Sequence, residues 1–388
     1  MFSINHLPRR ARRAAFTTLV ASCTAVSLLS GMVPSASAQS ASTTVSIDDV
    51  AVTEGVDTAA VFTVTVSDNH PTEGITVTFE TQDGKGTSPA LAGLDYVAKS
   101  GTLTIDPGKT SKKIFVDLID DATHEPLETF NVKLTSSSVN IATNGGGTGT
   151  ATITSDDPQP QLSIQDAKAS EDAGSMIFDV DLDRASNVDV TVDYDTCDTK
   201  CGATATYSED YKPTRGTLTF PANSNATKHI EVPLIDDKVY EGNEQIIVKL
   251  SNNFNADIAR KTGTGTIDDD EVRPVLAMTS TGFHVAEGDT DNVVGVDVGL
   301  SGLAAEDVTF TYATKDGSTP AAHDTSDYTA TSGTGTIRAG SLLTFIPVTI
   351  NGDTKPEKDE NFIVTIDNPS SNARLGGALT TVTLDNDD

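Results

Sequence analysis

The 388-residue chain carries 56 Asp and Glu against 26 Lys and Arg, a formal net charge of −30 at neutral pH. A surface of that sign repels nucleic acid and anionic membranes and attracts cations. Hydrophobic residues make up 37% and recur in short regular runs, which excludes wholesale disorder, and the length suits about two to four domains.

The chain begins with Arg9, Arg10, Arg12 and Arg13, then an apolar stretch from Ala14 to Val33, then small residues at Ala36, Ser37 and Ala38. That layout predicts a secretory signal peptide over residues 1–38 and a mature chain starting at Gln39. Val20-Ala21-Ser22-Cys23 also fits the box that precedes a lipid-modified cysteine, so a lipid on Cys23 is a second reading. Removal of the leader takes away four Arg and no acid, and leaves the mature chain more acidic still. No later stretch approaches the roughly 18 apolar residues needed to span a bilayer.

From there on the sequence alternates with a period of two. Phe62-Thr63-Val64-Thr65-Val66, Val190-Thr191-Val192-Asp193-Tyr194 and Val294-Gly295-Val296-Asp297-Val298 place apolar and polar residues on opposite faces, as half-buried strands require. Thr and Val dominate the runs, Gly, Asn and Asp separate them, and no helical period is sustained; the class is all-β.

The runs belong to a repeat of about 116 residues. Val52-Thr53-Glu54-Gly55 returns as Ala169-Ser170-Glu171-Asp172 and Val285-Ala286-Glu287-Gly288. Asp95-Tyr96 returns as Asp210-Tyr211 and Asp327-Tyr328, Gly101-Thr102-Leu103 as Gly216-Thr217-Leu218 and Gly335-Thr336-Ile337. The run from Glu128 to Leu134 returns as Glu244 to Leu250 and Glu360 to Ile366. Each copy ends in acids, at Ser155-Asp156-Asp157, Asp268-Asp269-Asp270 and Asp385-Asn386-Asp387. Three modules follow, 43–157, 160–270 and 275–388, each with enough short strands for an Ig-like sandwich. Phe130, Val132 and Leu134 should face its core, and Asn131 and Lys133 water. Pro158-Gln159-Pro160 and the segment from Glu271 to Pro274 are short linkers, which predicts a semi-rigid, elongated array.

The early Glu-Gly or Glu-Asp, the Gly/Thr/Ala-rich loop into Asp-Tyr, the Asp-Asp-x-x-x-Glu-x-x-Glu segment and the closing acids together resemble the Calx-beta domain family, over nearly the whole mature chain. The resemblance implies a sandwich with calcium held by loops at one end. The residue chemistry points the same way. Calcium takes about six to eight oxygens in a flexible shell, and these positions hold no His or Cys for zinc or copper. The second module offers the fullest set: Glu171, Asp210, Asp236, Asp237, Glu241, Asp268, Asp269 and Asp270. The first offers Glu54, Asp95, Asp120, Asp121, Glu125, Asp156 and Asp157, with Ser155 in place of one acid. The third offers Glu287, Asp327, Asp353, Glu357, Asp385 and Asp387, with Gly352 and Asn386 at two acidic positions. Glu128, Glu244 and Glu360 rank second, as ligands or as structural hydrogen-bonding positions, and Tyr96, Tyr211 and Tyr328 read as packing residues.

Cys197 and Cys201, the two cysteines left after the leader, predict a local disulfide in an oxidising compartment, which contributes at most about 2 kcal/mol for so small a loop. No nucleophile elbow, metalloprotease helix or phosphate loop occurs, and the histidines do not repeat in register, so catalysis is not expected. The expectation is a secreted, extracellular or cell-surface protein, with the periplasm also open, that binds calcium and contacts an extracellular protein or glycan. The alternative is a calcium-stiffened spacer without a specific ligand.

Overall fold

The computed structural model describes residues 42–388, apart from 68–71, 87, 198 and 324. The expected leader with Cys23, and His70, lie outside the described residues. In the first repeat the alternating runs become nine strands: β1 (Thr44–Ile47), β2 (Val50–Thr53), β3 (Ala59–Val66), β4 (Ile75–Gln82), β5 (Ser100–Ile105), β6 (Ser111–Asp117), β7 (Glu128–Ser137), β8 (Asn140–Ile141) and β9 (Thr148–Thr154). They form a four-stranded sheet, β6-β3-β1-β8, and a five-stranded one, β2-β9-β7-β4-β5. The second and third repeats have the same two sheet orders, so the three modules share one sandwich topology.

The first run of each module serves both sheets. β1 lies antiparallel to β3, and after the break at Asp48 and Asp49 the chain continues as β2, parallel to β9 in the opposite sheet. The two aspartates hold the crossing: Asp48 Oδ1 accepts the Thr63 N–H at 2.6 Å and Asp49 Oδ1 accepts the Thr150 N–H at 2.7 Å. Gly149 is required where the sheets cross, because a Cβ there would lie 2.2 Å from the Asp48 carbonyl oxygen.

The period of two fills the core. Phe62, Val64 and Val66 of β3 face Phe130, Val132 and Leu134 of β7, all buried, while Lys133 is exposed and Asn131 half-buried. Burying each such Phe, Leu or Val contributes about 1.5–3 kcal/mol, and the three separate cores in the three modules draw on that source. The buried tyrosines tie a loop to this core. Tyr96 stacks on Phe130 with ring centroids 4.1 Å apart and donates its hydroxyl to Asp83, and Tyr328 does the same with Phe362 and Asp316. In the second module Tyr211 packs edge-on against Tyr207 and reaches the Cys197 carbonyl, beside the Cys197–Cys201 disulfide. Among the described residues the helical segments are two short 3-10 turns, and no helix is long and apolar enough to cross a membrane.

Neighbouring modules are joined by hydrogen bonds. Ser186 and Asn187 of the second module bond to the His124 carbonyl of the first, through the Ser186 hydroxyl at 3.0 Å and the Asn187 N–H at 3.3 Å. One junction further on, Val239–Tyr240 pairs in parallel with Leu303–Ala304 of the third module. His124 and Tyr240 are equivalent positions, each immediately before an acid of the loop described next.

Candidate metal centres

Burial singles out the acids at one end of each sandwich. Every charged side chain that is buried among the described residues is one of them: Glu54, Asp95, Glu125, Glu128, Glu171, Asp210, Glu287 and Asp327. Taking a carboxylate out of water costs several kcal/mol unless a cation or a proton compensates it.

The loop before the buried tyrosine positions the first acid. Asp95 turns back to accept the Leu91 N–H at 2.5 Å, and Asp327 accepts the His323 N–H at 2.6 Å; Asp210 makes the same bond to the Thr206 N–H. A second aspartate caps the next loop, with Asp121, Asp237 and Asp353 accepting the N–H two residues on at 2.6, 2.6 and 2.7 Å. The following strand delivers the rest. Glu128 has the same parity on β7 as Phe130, Val132 and Leu134, so it points inward, at the sheet's end.

In the first module Asp95, Glu125 and Glu128 bring carboxylate oxygens within 4.8 Å of one another. Glu54 lies near enough to act on Glu125 and accepts the Asp121 N–H on its Oε1 at 3.2 Å. Asp120, Asp121 and Asp156 lie close enough to push the Asp157 carboxyl upward, after burial as the main cause. The second module holds two adjoining clusters. Asp210, Glu241 and Glu244 form one; Glu171, Asp269 and Glu271 form the other, which Asp236 and Asp270 extend through Glu271. Asp237 acts on both Glu171 and Glu241. The third module assembles Glu287, Asp327 and Glu357, with Glu360 hydrogen-bonded to Asp327. Here Lys355 intervenes, its Nζ 2.5 Å from Glu357 and 3.7 Å from Asp353. Asp387 accepts the Gly288 N–H at 3.0 Å, and Asn386 reaches toward Glu287 at 3.5 Å.

Two sequence candidates are placed elsewhere. Asp268 pairs with Lys168 at 2.8 Å and accepts from Asn243 at 2.7 Å, and Asp385 pairs with His284 at 2.7 Å. Both stand at the end of a strand and pair with a residue of the neighbouring parallel strand. In the first module Ser155 stands at this position, and its Oγ accepts the Asp157 N–H at 3.2 Å. The residue that sequence reading missed is Glu271, assigned to a linker but folded back between Asp269 and Asp270. Glu128 and Glu244, ranked second, are full cluster members, and their parity with the buried run was the signal.

The electrostatics follow from crowding. Burial first, then neighbouring acids, pushes Glu125 up to about 8 and Glu171 and Glu241 up to about 7. Glu54 also rises to about 7, against the lowering effect of its bond from Asp121. Oxygens of Glu54, Glu128, Asp157 and Glu271 are buried with no hydrogen-bond partner. Clustered, unpartnered carboxylate oxygens without His or Cys suit a hard divalent cation that prefers many oxygens, and calcium fits that donor set better than magnesium, which demands a stricter octahedron. Glu54, Asp95, Glu125 and Glu128 would hold it in the first module, and Asp210, Glu241, Glu244, Glu171, Asp269 and Glu271 in the second.

A family model described as the Calx-beta domain matches three times, over residues 38–159, 155–271 and 268–388. Sodium/calcium exchanger 1 of Bos taurus is 30% identical over 198 residues, covering 46% of this chain and 20% of the exchanger. The sodium/calcium exchanger Calx of Drosophila melanogaster is 30% identical over 167 residues, 42% of this chain and 17% of the exchanger. The chain thus spans a fifth or less of the length of these relatives. The crystal structure of CBD12 from CALX1.2 is 19% identical with a TM-score of 0.28, covering 58% of this chain and 99% of that one, a likeness too loose to bear on detail. With three matches in tandem from residue 38 to the last residue, the chain belongs to the Calx-beta domain family.

Proposed function

We propose that the chain is an exported, non-catalytic array of Calx-beta modules that binds calcium and is stiffened by it. The observation that carries this reading lies at the first junction. Asn187 of the second module donates its amide to Glu125 at 3.0 Å and to Glu128 at 2.9 Å, both acids of the first module's cluster. An amide donor stabilises the charged carboxylates and anchors the second module to the cation loop of the first. Calcium on those carboxylates would fix the loop whose His124 carbonyl holds Ser186 and Asn187. Bonded junctions of this kind suit a spacer that presents itself beyond a cell surface. The basic, apolar and small-residue segments of the first 38 residues support export, and the strongly acidic surface supports a cation-dependent role.

A second reading, calcium-dependent contact with an extracellular protein or glycan, draws on the exposed Leu94 and Leu127 beside the first cluster. The test separates the two. Spin labels placed on either side of the first junction should give a narrower distance distribution in millimolar calcium than in chelator. An unchanged distribution, with calcium demonstrably bound, removes the stiffening reading and leaves capture of a partner in calcium as the surviving function.

A further inference from the structure

The third module departs from the other two at two positions of one loop. Where the first two modules have Asp120 and Asp236, it has Gly352. A side chain is barred there, because a Cβ on Gly352 would lie 2.1 Å from the Gly288 carbonyl oxygen and 2.6 Å from that of Thr290, both backbone atoms. Three residues on, where the others have the uncharged Thr123 and Val239, stands Lys355. The turn that aims this position is the same in all three modules, since the backbone N–H of Thr123, Val239 and Lys355 each donates to the preceding aspartate. The ammonium therefore arrives at the acids by the module's ordinary loop geometry. It sits 2.5 Å from Glu357 Oε1 and 3.7 Å from Asp353 Oδ2, and Glu357 is a member of the cluster with Glu287 and Asp327.

We propose that Lys355 is the third module's built-in cation, a tethered competitor that keeps calcium off its acids while the first two modules fill. This rests on the calcium reading of the other modules and says which module departs from it. One acid has been lost to backbone closure and a lysine gained, so the charge of the four-residue turn drops by two relative to the first module and by one relative to the second, whose turn carries Lys238. A tethered ammonium also acts at the high effective concentration of a short linker, so calcium must displace it. Because the lysine side chain is 67% exposed, it can swing away, and the block is competitive.

The test is equilibrium dialysis of the full chain against graded free calcium, counting ions bound per chain. Lys355→Met should bind at least one more calcium than the wild type at concentrations that saturate the wild type, with third-site affinity raised at least tenfold. Lys355→Arg, which keeps the charge, should match the wild type, and Lys355→Met combined with Glu357→Gln should lose the gain. Lys355→Gln repeats the test should the methionine variant aggregate, and thermal unfolding checks that each variant keeps its fold. Equal stoichiometry and affinity in wild type and both neutral variants, with calcium still bound by the other modules, overturns the proposal. So does an arginine variant that behaves like methionine. A wild type and variants that bind no calcium at all overturn the calcium reading itself, a separate and recognisable result.

Discussion

The second and third modules share a topology, a buried tyrosine and a capped acidic loop, yet they treat the same electrostatic problem differently. The second concentrates charge: Glu271 folds back from the start of the linker to join Glu171, Asp269, Asp236 and Asp270, beside a second cluster of Asp210, Glu241 and Glu244. The third disperses it, with Gly352 sealed against Gly288 and Lys355 laid across Glu357. One scaffold can therefore be set to demand an external cation or to supply an internal one by changes within a single loop, with the sandwich core untouched.

The largest expected effect comes from forcing the third module to imitate the second. Gly352→Asp restores the missing acid in sequence, but its Cβ would meet backbone on two sides, so the third module should lose about 1–3 kcal/mol of stability. Chemical unfolding should show a destabilised transition, and calcium should not recover it. Were the variant instead to bind calcium more tightly at unchanged stability, the loop would be more pliable than this geometry allows.

A smaller effect is expected from Glu241→Gln in the second module. It removes one cluster carboxylate at nearly constant shape, so calcium affinity there should fall at least tenfold, about 1.4 kcal/mol, while stability in chelator is kept or improved. Asp268→Asn is the matched control, because that acid is paired with Lys168. Its calcium affinity should change by less than about threefold, the scale of an exposed ion pair. Equal losses in the two variants would mean that Asp268 leaves Lys168 to join the cation.

The pH response sharpens the same contrast. Glu54, Glu125, Glu171 and Glu241 have folded-state pKa values raised from 4.5 to about 7 or 8, so the folded chain in chelator holds more protons than the unfolded chain across that interval. Stability in chelator should then fall as pH rises from about 5 to 8. Calcium needs the ionised carboxylates, so its affinity should rise over the same window, and the gap between melting temperatures with and without calcium should widen. Melting in chelator that improves steadily from pH 5 to 8 would contradict the crowding of these acids.

The strand pattern, the three repeats and most cluster positions are legible in sequence because they depend on local periodicity and register. Glu128 and Glu244 were legible too, through their parity with the buried residues of their strands. The pairing of Asp268 and Asp385 was not legible, since their partners Lys168 and His284 lie on a parallel strand about a hundred residues away and appear in no local motif. The closure over Gly352 is a through-space contact with Gly288, and the reach of Asn187 crosses a module boundary. Neither leaves a mark in the spacing of like residues. Glu271 falls in the segment expected to be a linker, but its backbone N–H donates to the Asp269 carboxylate and its side chain gathers with Asp269 and Asp270.

The most direct test of the account is thermal unfolding of the chain in millimolar calcium and in chelator, paired with calorimetric titration. For sites with dissociation constants near 10⁻⁴ M, as is common in extracellular modules, calcium should add about 1.4 kcal/mol per occupied site. The account predicts binding heat together with a clear upward shift of the melting transition, carried by the first and second modules. Superimposable melting curves with no heat of binding would contradict it.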